Sequence, residues 1–156
     1  MKLKGFTLIE LIVVIAIIGV LAAILVPSLL GYVKTARASR LNANARSIYS
    51  ATQLAITDFN NAHGVISPNC VYTGSSDGIA HPADGGMDCD LTNYLGEEFE
   101  GNFLFVTNVN GSGCIYALWS EKPLSESDEG QLTMENVKST VNTSLPIGCH
   151  PLKASS

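Results

Sequence analysis

The chain has 156 residues, 46% of them hydrophobic and 15% charged, with a formal net charge of −5. Once the N-terminal helical segment is set aside, that length leaves room for one small core and excludes two. The charge is unevenly laid out: residues 31–55 carry Lys34, Arg37, Arg40 and Arg46 and no acid, whereas residues 56–156 carry 13 acids against Lys122, Lys138 and Lys153.

The first thirty residues are the most informative. A short opening with two lysines, Met1 to Gly5, leads into Phe6-Thr7-Leu8-Ile9-Glu10, and then Leu11 to Leu30 run without a charge. At about 1.5 Å per helical residue those twenty residues span roughly 30 Å, the thickness of a bilayer's hydrocarbon core. Glu10 sits near the edge of this stretch with apolar residues on both sides. A carboxylate at the centre of a membrane helix costs on the order of 2.5–3.5 kcal/mol, so an intramembrane acid reads as a functional residue with a partner to be named. A conventional secretory signal with a cut near Leu21-Ala22-Ala23 fits less well, because an acid inside its apolar region is unusual and the apolar stretch continues past that point. Four basic residues follow the span and outnumber the two lysines before it, so charge bias gives no orientation.

The residues Lys4-Gly5-Phe6-Thr7-Leu8-Ile9-Glu10, the apolar run with Gly19, and Pro27 near its end resemble the type IV pilins and the related pseudopilins of secretion and competence systems. The resemblance implies a leader, residues 1–5, removed by a prepilin peptidase between Gly5 and Phe6, followed by N-methylation of Phe6. It implies that Glu10 helps subunits register in a filament, through the new α-amine of a neighbour, which is cationic near neutral pH. Loss of Lys2 and Lys4 with the leader takes the formal charge from −5 to −7, the new amine aside. The resemblance also implies an assembly ATPase, a polytopic platform protein, self-polymerisation into a helical homopolymer, and a path from the inner or cytoplasmic membrane to a surface filament. Pro27 predicts a kink and Gly19 a weak point; in the resembled family the stretch between such positions can lose its hydrogen bonds in the filament.

Residues 6–30 are thus expected to form the transmembrane and polymerisation helix, and residues 31–62 its continuation. Leu41, Ala45, Ile48, Thr52, Ala55 and Phe59 recur at steps of three and four, which sets them on one stripe of an amphipathic helix, with Ser39, Arg46 and Ser50 opposite. Asn60, Asn61 and Gly64 predict its end near residue 62. Val65 to Asp90, rich in glycine, proline and polar residues, reads as loop. Asn102–Asn108 and Cys114–Ser120 read as strands joined by Asn110-Gly111-Ser112-Gly113, a hairpin signal. Ser125–Gly130 reads as a polar turn, and a third strand is expected within Gln131–Lys138, since two strands alone seldom form a stable sheet. The fold class is therefore α+β: a long N-terminal helix, half in the membrane and half amphipathic, packed against a small antiparallel sheet in a head of residues 63–156.

Cys70, Cys89, Cys114 and Cys149 all lie in the head and contain no Cys-x-x-Cys pair, which argues against zinc and for two disulfides in an oxidising compartment. Three pairings are possible. Cys70–Cys89 is favoured because it closes the glycine-rich loop, and Cys114–Cys149 because the resembled family often ties its C-terminal region in this way. No constellation suggests an enzyme or a cofactor: His63, His81 and His150 are scattered. Asp84-Gly85-Gly86-Met87-Asp88-Cys89-Asp90 places carboxylates at near-alternate positions, as calcium requires, without matching an EF-hand. The expected function is that of a structural pilus subunit, used in adhesion, motility or DNA uptake, with a pseudopilin and a membrane-tethered or pilus-tip adhesin as alternatives. Nucleic-acid binding is left open, because the basic stretch Lys34–Arg46 lacks interleaved aromatics for base stacking.

Overall fold

The structure is a computed structural model that describes residues 6–96 and 99–153. The chain divides into two compact units, one up to Thr35 and one from Ala36 onward. The helix α1 (Leu8–His63) contributes to both, and it runs without interruption through Gly19 and Pro27. It stops where the sequence predicts, because Gly64 takes a φ of +96°, a left-handed cap that glycine adopts without strain.

In the second unit, α1 buries Ala38, Leu41, Ala45, Ile48, Ala51, Thr52, Ala55 and Ile56. This is the expected stripe, with Phe59 half-buried at its far end and Ser39, Arg46 and Ser50 exposed. The stripe packs on a six-stranded, wholly antiparallel sheet built from β1 (Val71–Gly74), β2 (Ile79–Pro82), β3 (Cys89–Asp90), β4 (Asn102–Thr107), β5 (Cys114–Ser120) and β6 (Ile147–His150). The strand order is β3-β2-β1-β4-β5-β6. Phe103 lies opposite Trp119, and Trp119 opposite Gly148, so the three share one face. A side chain at Gly148 would run into the backbone of Leu41, so this glycine lets β6 approach α1 closely. Tyr72 stacks on Phe105 with ring centroids 4.8 Å apart. The turn that follows β3 is tied to α1 by a hydrogen bond from the Tyr94 hydroxyl to Asp58.

The opposite sheet face, which carries Leu104, Tyr116, Leu118 and Cys149, is covered by the chain between β5 and β6. A single 3-10 turn (Glu126–Asp128) neighbours β1, and the Leu132 amide lies 3.3 Å from the Cys149 sulfur. Here the structure corrects two expectations. Gln131–Lys138 is not a strand: it leads into helix α2 (Met134–Thr140), which starts where the Thr133 hydroxyl accepts the Asn136 amide at 3.2 Å. An N-cap threonine favours helix here, and one helical turn buries Val137 as well as a strand would. The stretch read as loop, Val65–Asp90, holds three strands of two to four residues, and the sheet is completed at its other edge by β6.

Candidate functional site

The first unit presents a helix surface with no protein covering it. Phe6 is 86% exposed, and Leu8, Leu11, Ile15, Leu21, Leu25 and Leu30 are each more than half exposed. Leaving so much apolar surface in water is costly at about 25 cal/mol per Å². The helix is long and apolar enough to cross a membrane. Gly5 and the rest of the leader lie outside the described residues. Gly19 has open space around it, and both it and Pro27 are exposed.

Glu10 stands in the first turn of α1. Its Oε2 accepts the Thr7 backbone N–H at 2.8 Å and the Thr7 hydroxyl at 2.7 Å, while the Glu10 N–H points back to Thr7 Oγ1 at 3.4 Å. This is a capping box: residues at i and i+3 satisfy each other's free backbone donors at a helix start. The pattern Thr-x-x-Glu is visible in the sequence, and it identifies Thr7 as a functional neighbour that the charge-based reading of Glu10 passes over. Both bonds from Thr7 go to one carboxylate oxygen, and Oε1 has no hydrogen-bond partner among the described residues.

In the second unit, Arg40 meets Glu121 at 3.0 Å, with both side chains more than half exposed. His150, at the end of β6, sits edge-on to Tyr49 with ring centroids 5.2 Å apart. Burial first, and the Arg46 charge second, push its imidazole below the ordinary histidine range. His81 pairs with Asp88 at 2.9 Å and His63 lies by Phe59, so the three histidines stand apart in separate settings. The acids of the calcium-like stretch are used locally. Asp84 accepts the Gly86 N–H at 2.9 Å, Asp88 faces His81, and Asp90 accepts the Thr92 N–H at 2.8 Å. Among the described residues, no group of three or more histidine, cysteine or acidic side chains could hold a metal ion.

The four cysteines are all buried and unbonded. Burial pushes the Cys89 thiol up to about 11 and the Cys114 thiol up to about 12. The sheet register places the favoured partners as follows. Cys89 lies opposite Ala80, which lies opposite Gly74, four residues along the chain from Cys70. Cys149 lies opposite Leu118, four residues along β5 from Cys114, with an irregularity in the β4–β5 register between Tyr116 and Cys114. Four strand residues cover about 13 Å, whereas a disulfide needs Cα atoms within about 7 Å.

Comparison with known proteins agrees with this arrangement. The family profile described as the prokaryotic N-terminal methylation motif matches residues 1–26. The type IV major fimbrial protein FimA of Dichelobacter nodosus is 31% identical over 115 residues, covering 64% of this chain and 72% of the relative. The type IV narrow pilus major component PilA5 of Thermus thermophilus is 46% identical over 55 residues, 35% of this chain and 47% of the relative. The type IV major pilin protein PilA of Myxococcus xanthus is 44% identical over 48 residues, 31% of this chain and 22% of the relative. Two further FimA proteins of D. nodosus match over 35% of their own length. No solved structure matches the chain.

Proposed function

Because this chain belongs to the type IV pilin family, we propose that it is the major-type subunit of a type IV pilus, made as a membrane-anchored precursor and polymerised into a surface fibre. The observation that carries this reading is an uncovered apolar run whose one acid, Glu10, stands in the first turn of α1 with one oxygen unpartnered among the described residues. The subunit's work is assembly and not catalysis. A prepilin peptidase cuts between Gly5 and Phe6, and the freed amine is methylated. Two apolar helices side by side in lipid feel little directional force, so register needs a polar contact. The Phe6 amine of an incoming subunit against the Glu10 carboxylate of its neighbour supplies one. Stranding one member of such a buried pair costs about 3–5 kcal/mol, so a misplaced subunit is strongly disfavoured.

The capping box supports this role by fixing the carboxylate before a partner arrives. Gly19 to Pro27 is the stretch proposed to lose helical hydrogen bonds in the assembled fibre, which lets the fibre stretch. An assembly ATPase and a platform membrane protein complete the partner set. The basic segment Lys34–Arg46 of one subunit is proposed to face the acid-rich head of another. The test is N-terminal mass spectrometry of purified fibres. The expected result is a bulk subunit that begins at N-methylated Phe6; fibres whose main subunit still begins at Met1 would overturn the reading.

A further inference from the structure

Taking from the pilin reading that the apolar run lies in a bilayer before assembly, we infer that Arg37 and Arg40 form a binding site for the phosphate of an anionic phospholipid headgroup. The two arginines stand one helical turn apart on α1 and open on a cleft of about 320 Å³, whose other walls are Leu41, Glu121, Val141 and Pro146. Arg40 reaches Glu121 through one nitrogen at 3.0 Å. So exposed a pair is weak, and it leaves most of the guanidinium fork of Arg40 unused. Among the described residues, no carboxylate lies within ion-pair distance of Arg37.

The chemistry of the walls selects the ligand. Guanidinium groups engage phosphate bidentately, with planar forks that match its oxygens. Among the described residues, Glu121 is the one anion in the cleft, and it is already turned to Arg40. Leu41, Val141 and Pro146 give the glycerol and first methylenes of a lipid an apolar wall that a free phosphate would leave unused. The position in the chain selects the source. Arg37 follows Leu30, the last residue of the apolar run, by seven positions. Even a fully extended chain would keep it within about 25 Å of that run. The site also gives the bases after the span, which outnumber those before it against the usual bias, a partner before the subunit enters the fibre. Anionic headgroups attract such residues. The site therefore holds the waiting subunit's neck at the membrane surface, and the contact is given up when the subunit enters the fibre.

The test uses the full-length mature protein in nanodiscs of phosphatidylcholine, alone or mixed with phosphatidylglycerol, with retained lipid counted by native mass spectrometry after detergent release. The wild type is expected to retain phosphatidylglycerol over phosphatidylcholine, and Arg37→Gln to lower that preference about fivefold. Arg46→Gln removes the same charge from an exposed position outside the cleft and is expected to retain the preference. Equal losses in both variants, or no loss in Arg37→Gln, overturn the site; circular dichroism of each variant first establishes that it is folded. Displacement of the lipid by inorganic phosphate at matched concentration would assign the cleft to a free anion and overturn it too. A subunit never cleaved after Gly5 in cells would overturn the pilin reading instead, and the lipid count would stand apart from it.

Discussion

Glu10 and Thr7 work as one unit at the start of α1. The carboxylate is ordered by two bonds to one of its oxygens, which would lower the entropy cost of the pairing proposed with a neighbour's amine. Glu10→Gln keeps a side chain able to accept from Thr7 but removes the charge. It is expected to abolish fibres while the precursor still accumulates in membranes, as read by immunoblot of sheared fibres against total membrane protein. Normal fibres from that variant would remove charge pairing as the basis of register. Thr7→Ala weakens the helix start by about 1 kcal/mol and is expected to reduce fibre yield only in part. In the second unit, His150 is held below its ordinary pKa by burial and by Arg46. A histidine depressed in the folded state binds fewer protons folded than unfolded, so its contribution is full above the unfolded pKa and declines as pH falls through it. The thermal midpoint of the full-length protein in detergent is expected to drop from pH 7.5 to pH 5.5, and Arg46→Gln to flatten that drop.

At the scale of elements, the C-terminal strand β6 is the decisive placement. It is an edge strand, and its two outward N–H groups are taken by side chains: Ile147 donates to Thr140 Oγ1 at 3.1 Å and Cys149 to Asn42 Oδ1 at 3.0 Å. Edges finished in this way resist pairing with other strands. Asn42→Ala would leave the Cys149 amide, on a residue with no exposed surface, without a partner. The expected cost is about 1–3 kcal/mol, visible as a lower thermal midpoint and faster exchange of that amide; an unchanged midpoint would mean that water replaces Asn42. The elements legible in the sequence were those that repeat a signal. The α1 stripe repeats over several turns, and the β4–β5 hairpin is announced by Asn110-Gly111-Ser112-Gly113. Strands β1 to β3 have two to four residues each, too few for alternation to show, and they exist because each is paired to a neighbour. For Gln131–Lys138, apolar residues at 132, 134 and 137 suit a strand or a helix, and the Thr133 cap decided the matter.

For the whole molecule, charge is the property with the widest reach. A basic segment followed by an acid-rich head predicts that intact fibres loosen as salt rises past the physiological range, where the screening length falls below about 8 Å. Electron microscopy of fibres across a salt series reads this directly, and fibres indifferent to salt would count against basic-to-acidic packing between subunits. The apolar run and the buried stripe of α1 were determined by the sequence alone, because each is a local pattern whose physics needs nothing from distant residues, and the roles proposed for Gly5, Phe6 and Glu10 rest on a motif just as local. Tertiary structure alone decided the order of the six strands, the capping of β6 by Asn42, the cleft at Arg37, and where each cysteine sits in the sheet. Those depend on register between segments far apart in the chain, and a shift of a few residues along a strand, invisible in composition or spacing, moves a sulfur beyond bonding reach.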